Sequence, residues 1–176
     1  MIFAPSAHAQ KLEAGSSAAL IAVPSNTNVN IVSHRDTAQD LIVKRRVLTK
    51  VLEANHSPLA GSVDAFMATC VSYNLNCYLL PSITRLESSF GQFTHPGSNN
   101  PFGWGGGYIM FPTWADAIQT VGKGLRYDYI DRGADTIDAI GAKYAASPTW
   151  SVRVERFIRE FESMEEASLQ AENISL

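Results

Sequence analysis

Leu79-Leu80-Pro81-Ser82-Ile83-Thr84-Arg85-Leu86-Glu87-Ser88-Ser89-Phe90-Gly91 opens as an amphipathic helix and closes on an acid, two serines, an aromatic ring and a glycine. Leu79, Ile83, Leu86 and Phe90 recur at the spacing that puts apolar side chains on one helical face. The pattern predicts a helix over 77–89, with Pro81 distorting its first turn because it lies beyond the favoured first helical position. Glu87 follows Ile83 by four residues and Leu80 by seven, so it projects along the edge of the apolar face. It also sits in the last turn, where the carbonyl end of a helix opposes negative charge. Partial burial and the helix dipole both favour the protonated carboxyl. A group that holds its proton near neutral pH is what general acid catalysis requires. The plain alternative is a glutamate at a helix end that points into water or pairs with Arg85.

On the N-terminal side, Asn74-Leu75-Asn76 reads as one helix end followed by a new cap. The helix it closes covers 62–73, with Val63, Phe66, Met67 and Cys70 on one side. An earlier helix starts at Ala38, carries Leu41, Val47, Leu48, Val51 and Leu52, and stops near Asn55 and Pro58. On the C-terminal side, residues 91–112 are rich in Gly, Asn, Pro and aromatics. There Gly105-Gly106-Gly107 stands between Trp104 and Tyr108-Ile109-Met110-Phe111, which predicts a short hairpin or irregular glycine turn. Helices resume over 113–131 (Trp114, Ala117, Ile118, Val121, Leu125), 135–143 and 149–164. The last has a stripe of Trp150, Val154, Phe157, Ile158 and Phe161, which assigns Trp150, like Trp114, to the core. The expected fold class is α+β, mainly α, with a short glycine-rich β-hairpin element.

The chain has 176 residues, 45% hydrophobic and 18% charged, a composition that suits one globular domain. Fourteen Lys and Arg against seventeen Asp and Glu leave a net charge of −3, which argues against nucleic-acid binding. The longest apolar run, Ala18 to Val23, is far short of the ~20 residues that cross a bilayer. Ala7-His8-Ala9 before Gln10 matches the small-x-small pattern of signal peptidase. Only Met1-Ile2-Phe3-Ala4-Pro5 stands upstream, so the start reads as a signal-peptide remnant or else as an ordinary N-terminus. Residues 10–37 are Ser-, Asn- and Ala-rich without a period, the mark of a tether. The organisation expected is a remnant and leader over 1–37, one domain over 38–163 and an acidic helical tail over 164–176. The expected location is secreted or in the cell envelope.

Cys70 and Cys77 flank the helix reversal, and so tight a turn can bring two α-carbons within the ~4.4–6.8 Å of a disulfide. Such a bridge would clamp the corner that feeds the Glu87 helix; the alternative is two buried thiols. His8, His34, His56 and His95 are scattered and no Cys-x-x-Cys spacing exists, so neither a metal nor a cofactor is expected. Gly103-x-Gly105 lacks the third glycine and the lysine of phosphate-binding loops. No Gly-x-Ser-x-Gly elbow of a serine hydrolase occurs.

Four segments stand in order: the run ending Glu87-Ser88-Ser89-Phe90-Gly91; Asn99-Asn100-Pro101-Phe102-Gly103-Trp104-Gly105; Thr113-Trp114-Ala115-Asp116-Ala117-Ile118; and Lys143-Tyr144-Ala145-Ala146-Ser147-Pro148-Thr149-Trp150. Together they resemble the glucosaminidase family of the lysozyme-like superfamily, bacterial peptidoglycan hydrolases with mannosyl-glycoprotein endo-β-N-acetylglucosaminidase-like domains. The leading segment Asn55-His56-Ser57-Pro58-Leu59-Ala60 looks like that of a subgroup. The resemblance covers 47–161, and its specificity lies in the order and spacing of the four segments.

The resemblance implies a monomeric hydrolase acting on peptidoglycan or a related N-acetylated glycan. Glu87 matches the catalytic acid, which protonates the glycosidic oxygen as the bond breaks. Ser88, Asn100, Phe102, Gly103 and Trp104 match the substrate-binding wall of the cleft, although Phe102 and Trp104 also suit core packing. Tyr144 matches a tyrosine that faces the acid and would hold the acetamido group or developing positive charge. Tyr108, beside the glycines, reaches the cleft or packs under the hairpin.

One departure matters. A two-carboxylate glycosidase places its second acid ~5–10 Å from the first, yet no Asp or Glu occurs between Glu87 and Asp116. Asp116 lies inside a helix and reads as a solvated surface residue. The open routes are a water held by polar groups, the substrate's own 2-acetamido group, or its 6-hydroxyl, as in lytic transglycosylases. An N-acetylglucosaminidase is therefore weighed against a lytic transglycosylase, a muramidase and a non-catalytic peptidoglycan-binding module.

Overall fold

The computed structural model describes residues 29–33 and 36–174; the signal-peptide remnant and most of the leader expected over 1–37 lie outside the described residues. Among the described residues there are six α-helices: α1 Ala38–Ala54, α2 Val63–Tyr73, α3 Leu79–Ser88, α4 Trp114–Gly124, α5 Ile137–Tyr144 and α6 Trp150–Ile174.

α1 begins at Thr37, whose hydroxyl accepts the Asp40 amide while the Asp40 carboxylate accepts the Thr37 amide. This reciprocal cap satisfies donors the first turn leaves open. The helix buries Val43, Val47, Leu48 and Leu52. α2 ends at Asn74, held left-handed at φ 49°, and the chain reverses at once. A disulfide joins Cys70 to Cys77 across that reversal, with the α-carbons 4.9 Å apart. Asn76 then accepts the Tyr78 amide, so α3 starts at Leu79, two residues later than the periodicity suggests. Pro81 thereby falls in the first turn, where its missing N–H breaks no intrahelical bond.

α3 is the buried axis of the fold and packs against α6. Arg85 fastens the two, lying 4.1 Å over the Phe157 ring and pairing with Glu160. α1 packs on α2 and α6, α2 on α4, and α5 on α6. Residues 164–174 continue α6, where buried Glu165 accepts a 2.7 Å bond from Lys44 of α1.

The expected β-hairpin is absent: among the described residues there is no strand, and the architecture is helical. Gly103, Gly105, Gly106 and Gly107 all have positive φ, between 61° and 83°, which coils the segment instead of extending it. Trp104–Gly107 forms a short 3-10 turn, and the Asn100 side chain holds the loop together where a strand ladder would. The single helix expected over 113–131 is likewise divided. α4 passes into a π turn over Leu125–Tyr129 and a 3-10 turn over Ile130–Arg132, closed by Gly133 at φ 90°.

α2 and α4 pack tightly at Gly122, where an added Cβ would stand 2.2 Å from Thr69 Cγ2 and 3.2 Å from Leu80 Cδ1. Gly122→Ala should lower unfolding free energy by about 1–3 kcal/mol through overpacking, measurable by urea denaturation. Unchanged stability would mean that α2 and α4 can separate without cost.

Candidate active site

Glu87 occupies the last turn of α3, and the chain leaves the core directly beyond it. Ser89, Phe90 and Gly91 follow with φ of 49°, 58° and 84°, a left-handed run that turns the backbone sharply. The Phe90 amide returns to the Thr84 carbonyl, closing the helix, and the Phe90 ring is buried. Ser57 donates to the Phe90 carbonyl at 2.8 Å, and Gln92 to the Asn55 carbonyl at 2.6 Å. The segment after α1 therefore braces the strained turn from outside.

The Glu87 carboxyl is polarised by its surroundings. Oε1 accepts a 2.7 Å hydrogen bond from the indole Nε1 of Trp150, at the start of α6. Burial of the carboxyl raises its pKa above the ordinary glutamate value, outweighing the indole bond and the Arg153 charge, which lower it. The residue exposes surface to the cleft, while Oε1 of its carboxyl is held against the Trp150 indole. Arg85 is engaged by Glu160 and the Phe157 ring, which disposes of the plain alternative that it pairs with Glu87.

Glu87, Ser88, Asn100, Gly103 and Tyr108 share one open cleft of about 230 Å³, also lined by Phe93 and His95. Tyr108 and Phe93 are largely exposed, at 79% and 74%, and offer flat apolar faces at its rim. Ser88 lines the wall while its hydroxyl donates toward the Thr84 and Pro101 carbonyls and accepts the Gly91 amide. Asn100 is buried; its amide bonds Trp104 at both N and O and reaches the Ile109 carbonyl. Both side chains thus shape the wall through the backbone.

Phe102 is fully buried, and its carbonyl accepts a 2.7 Å bond from the Tyr144 hydroxyl. Tyr144 stands behind the acid, stacked on Trp150 at 5.0 Å and next to Trp104 at 5.7 Å. Burial, then the Glu87 charge, push ionisation of the Tyr144 hydroxyl well upward, so it serves as a neutral donor. Trp104 lies half-buried against Tyr129 and Tyr144, and Gly124 gives its ring room: a Cβ there would stand 2.8 Å from Cζ2. Asp116 accepts from the Thr113 hydroxyl at the start of α4, occupied as a helix-end group.

Two features escape sequence reasoning. Trp150 is buried, as its apolar stripe predicts, but it also directs its N–H at Glu87. The available signal is the ring type: where an indole or phenol stands in place of a plain hydrocarbon, a polar tip seeks a partner. His95 and Phe93 reach the cleft from an irregular loop, where no periodicity announces direction.

No family profile and no curated protein matches the chain by sequence. By fold it is similar to a crystal structure of S. aureus autolysin E, a catalytic mutant in complex with the disaccharide NAG-NAM. The TM-score is 0.56 at 13% identity, covering 78% of this chain and 73% of that chain. That likeness is one of fold: this chain shares the mainly helical arrangement of that structure.

The Asn100 amide bridges both ends of the glycine loop, so Asn100→Ala should loosen the cleft wall before it affects the helices. The expected result is about 2 kcal/mol of lost stability and faster amide exchange at 103–109, read by hydrogen exchange. Native exchange in this loop would assign its order to another group.

Proposed function

We propose that this protein is a glycoside hydrolase of peptidoglycan, of the N-acetylglucosaminidase type, with Glu87 as general acid. The observation that carries the reading is the Glu87 carboxyl itself. It is held protonation-prone by burial at the end of α3, and faces a cleft walled by glycine backbone and exposed rings. The fold shared with autolysin E supports it, since that protein was crystallised with a peptidoglycan disaccharide. A pyranose chain suits such a cleft: Tyr108 and Phe93 present faces for the C–H side of sugars, and the glycines admit acetamido groups to the backbone.

Bond cleavage follows from one proton transfer. Neutral Glu87 donates its proton to the bridging oxygen, the anomeric C–O bond breaks, and the leaving sugar departs as an alcohol. Positive charge develops at the anomeric carbon near the negatively charged Glu87 that remains. No second carboxylate lines the described cleft, so the nucleophile is a bound water, the 2-acetamido oxygen or the 6-hydroxyl of the substrate. Attack by the 6-hydroxyl would make the protein a lytic transglycosylase, and cleavage at the muramic residue a muramidase. The same missing carboxylate favours one reading of another class, a peptidoglycan-binding module without turnover. In the hydrolase reading, residues 38–163 form the catalytic domain of a secreted monomer, with residues 1–37 as its leader. Residues 164–176 follow as an acidic tail.

Glu87→Gln keeps size and the bond to Trp150 but has no proton to give, so clearing in cell-wall zymograms should fall at least ~100-fold with the fold intact. Activity within a few-fold of the parent would remove Glu87 from the mechanism; binding without clearing by either protein would favour the module.

The acid must be protonated to work, so kcat/KM should decline as pH rises through the Glu87 pKa. Because burial raises that pKa, the midpoint of the alkaline limb should lie above 4.5. A limb at or below that value would contradict a partly desolvated acid.

A further inference from the structure

We infer that Trp150 is the positioning residue of the acid: its indole N–H fixes Oε1 of Glu87 and leaves the transferable proton on Oε2, in the gap that Gly103 keeps open. The inference rests on the hydrolase reading and concerns how the same carboxyl is aimed.

A carboxyl has two oxygens, and only one carries the proton at a time. An indole nitrogen is a donor and never an acceptor, so it bonds best to the carbonyl oxygen of a neutral carboxyl, the stronger acceptor of the two. Nε1 of Trp150 lies 2.7 Å from Oε1, which places the O–H of neutral Glu87 on Oε2. Oε2 points toward Gly103, where an added Cβ would stand 3.6 Å from it. Gly103 adopts φ 63°, a conformation in which glycine alone is unstrained, and the absence of a side chain leaves the space over Oε2 to a substrate oxygen.

The indole itself is locked on several sides. It is 3% exposed and stacks on Tyr144, whose hydroxyl is tied to the Phe102 carbonyl. Beneath it, Gly141 of α5 provides the slot: a Cβ there would lie 2.9 Å from Trp150 Cε3 and 3.5 Å from Ser151 Cβ. Gly141 is helical, so alanine fits its backbone, and the one tight contact it makes is with the indole. Two glycines on different elements therefore have complementary tasks. Gly141 admits the ring that holds one oxygen, and Gly103 clears the approach to the other.

The charged and titratable groups around Glu87 allow this to be read out. Arg153 of α6 and Tyr144 of α5 act on it, Tyr129 packs on Tyr144, and His95 shares the cleft. Ionisation of both tyrosines is pushed upward by burial, so they do not follow the carboxyl range. The indole bond favours the carboxylate, so its loss must raise the pKa of Glu87 and move the alkaline limb of activity to higher pH.

The test follows the Trp150 indole ¹⁵N–¹H resonance of the whole chain from pH 4 to 9, together with the pH profile of kcat/KM. The resonance should shift with the midpoint of the alkaline limb, and Glu87→Gln should abolish that movement, which separates Glu87 from His95. Trp150→Phe removes the donor and Gly141→Ala displaces it. Each should move the limb upward by on the order of one pH unit and lower kcat more than it raises KM. A Trp150 resonance that stays flat, or that titrates unchanged in Glu87→Gln, would overturn the inference without any variant at Trp150 having to fold. So would Gly141→Ala with a native pH profile. If the resonance titrates with Glu87 but the parent protein shows no turnover, the hydrolase reading fails and the hydrogen-bond assignment survives.

Discussion

Seven of the ten residues of α3 are buried, so the helix can present an ionisable group to solvent only at its final turn. There the chain must also leave the core, and it does so through three successive left-handed residues. Each left-handed non-glycine costs of order 1 kcal/mol, a strain the neighbouring structure has to over-determine. The Phe90 ring against Phe161, the Ser57 bond to the Phe90 carbonyl and the Ser88 hydroxyl supply that support. A carboxyl that would swing freely on a surface helix is here given one address.

The rest of the molecule is arranged around that address by close approaches. Gly122 lets α4 lie against α2 and Leu80 of α3, Gly124 receives the Trp104 ring, and Gly141 receives the Trp150 ring. These three glycines are helical and give up propensity, roughly 1 kcal/mol each relative to alanine, in return for packing that a methyl group would prevent. The π turn after α4 carries Tyr129 to the same ring cluster. At the opposite end of α6, Lys44 and Glu165 bind the helix to α1, and Arg85 holds its middle to α3. Trp150 is consequently displayed from a helix anchored along its length.

Much of this was legible in the sequence, because helices follow periodicity. The apolar stripe of α6, the ends of α1 and α2, the Cys70–Cys77 corner and the exposed edge position of Glu87 all follow from spacing and caps. The loop over 91–112 reads from sequence as a short hairpin or an irregular glycine turn, and the expected fold class takes the hairpin. Consecutive positive-φ glycines and one buried amide, Asn100, decide otherwise, and neither leaves a periodic trace. The bond from Trp150 to Glu87 spans 63 positions. A stripe identifies the buried face of such a residue but not the direction of its polar tip. His95 and Phe93 were invisible for the reason that irregular loops encode direction through tertiary contacts alone.

The most direct measurement of the central claim is mass spectrometry of purified peptidoglycan digested by the intact protein. The account predicts new glycan ends that appear with the native protein, with N-acetylglucosamine at the reducing end. N-acetylmuramic or anhydro ends would keep Glu87 as acid and change the bond or the nucleophile. Glycan strands that remain uncut, with the protein folded and bound to them, would contradict the account.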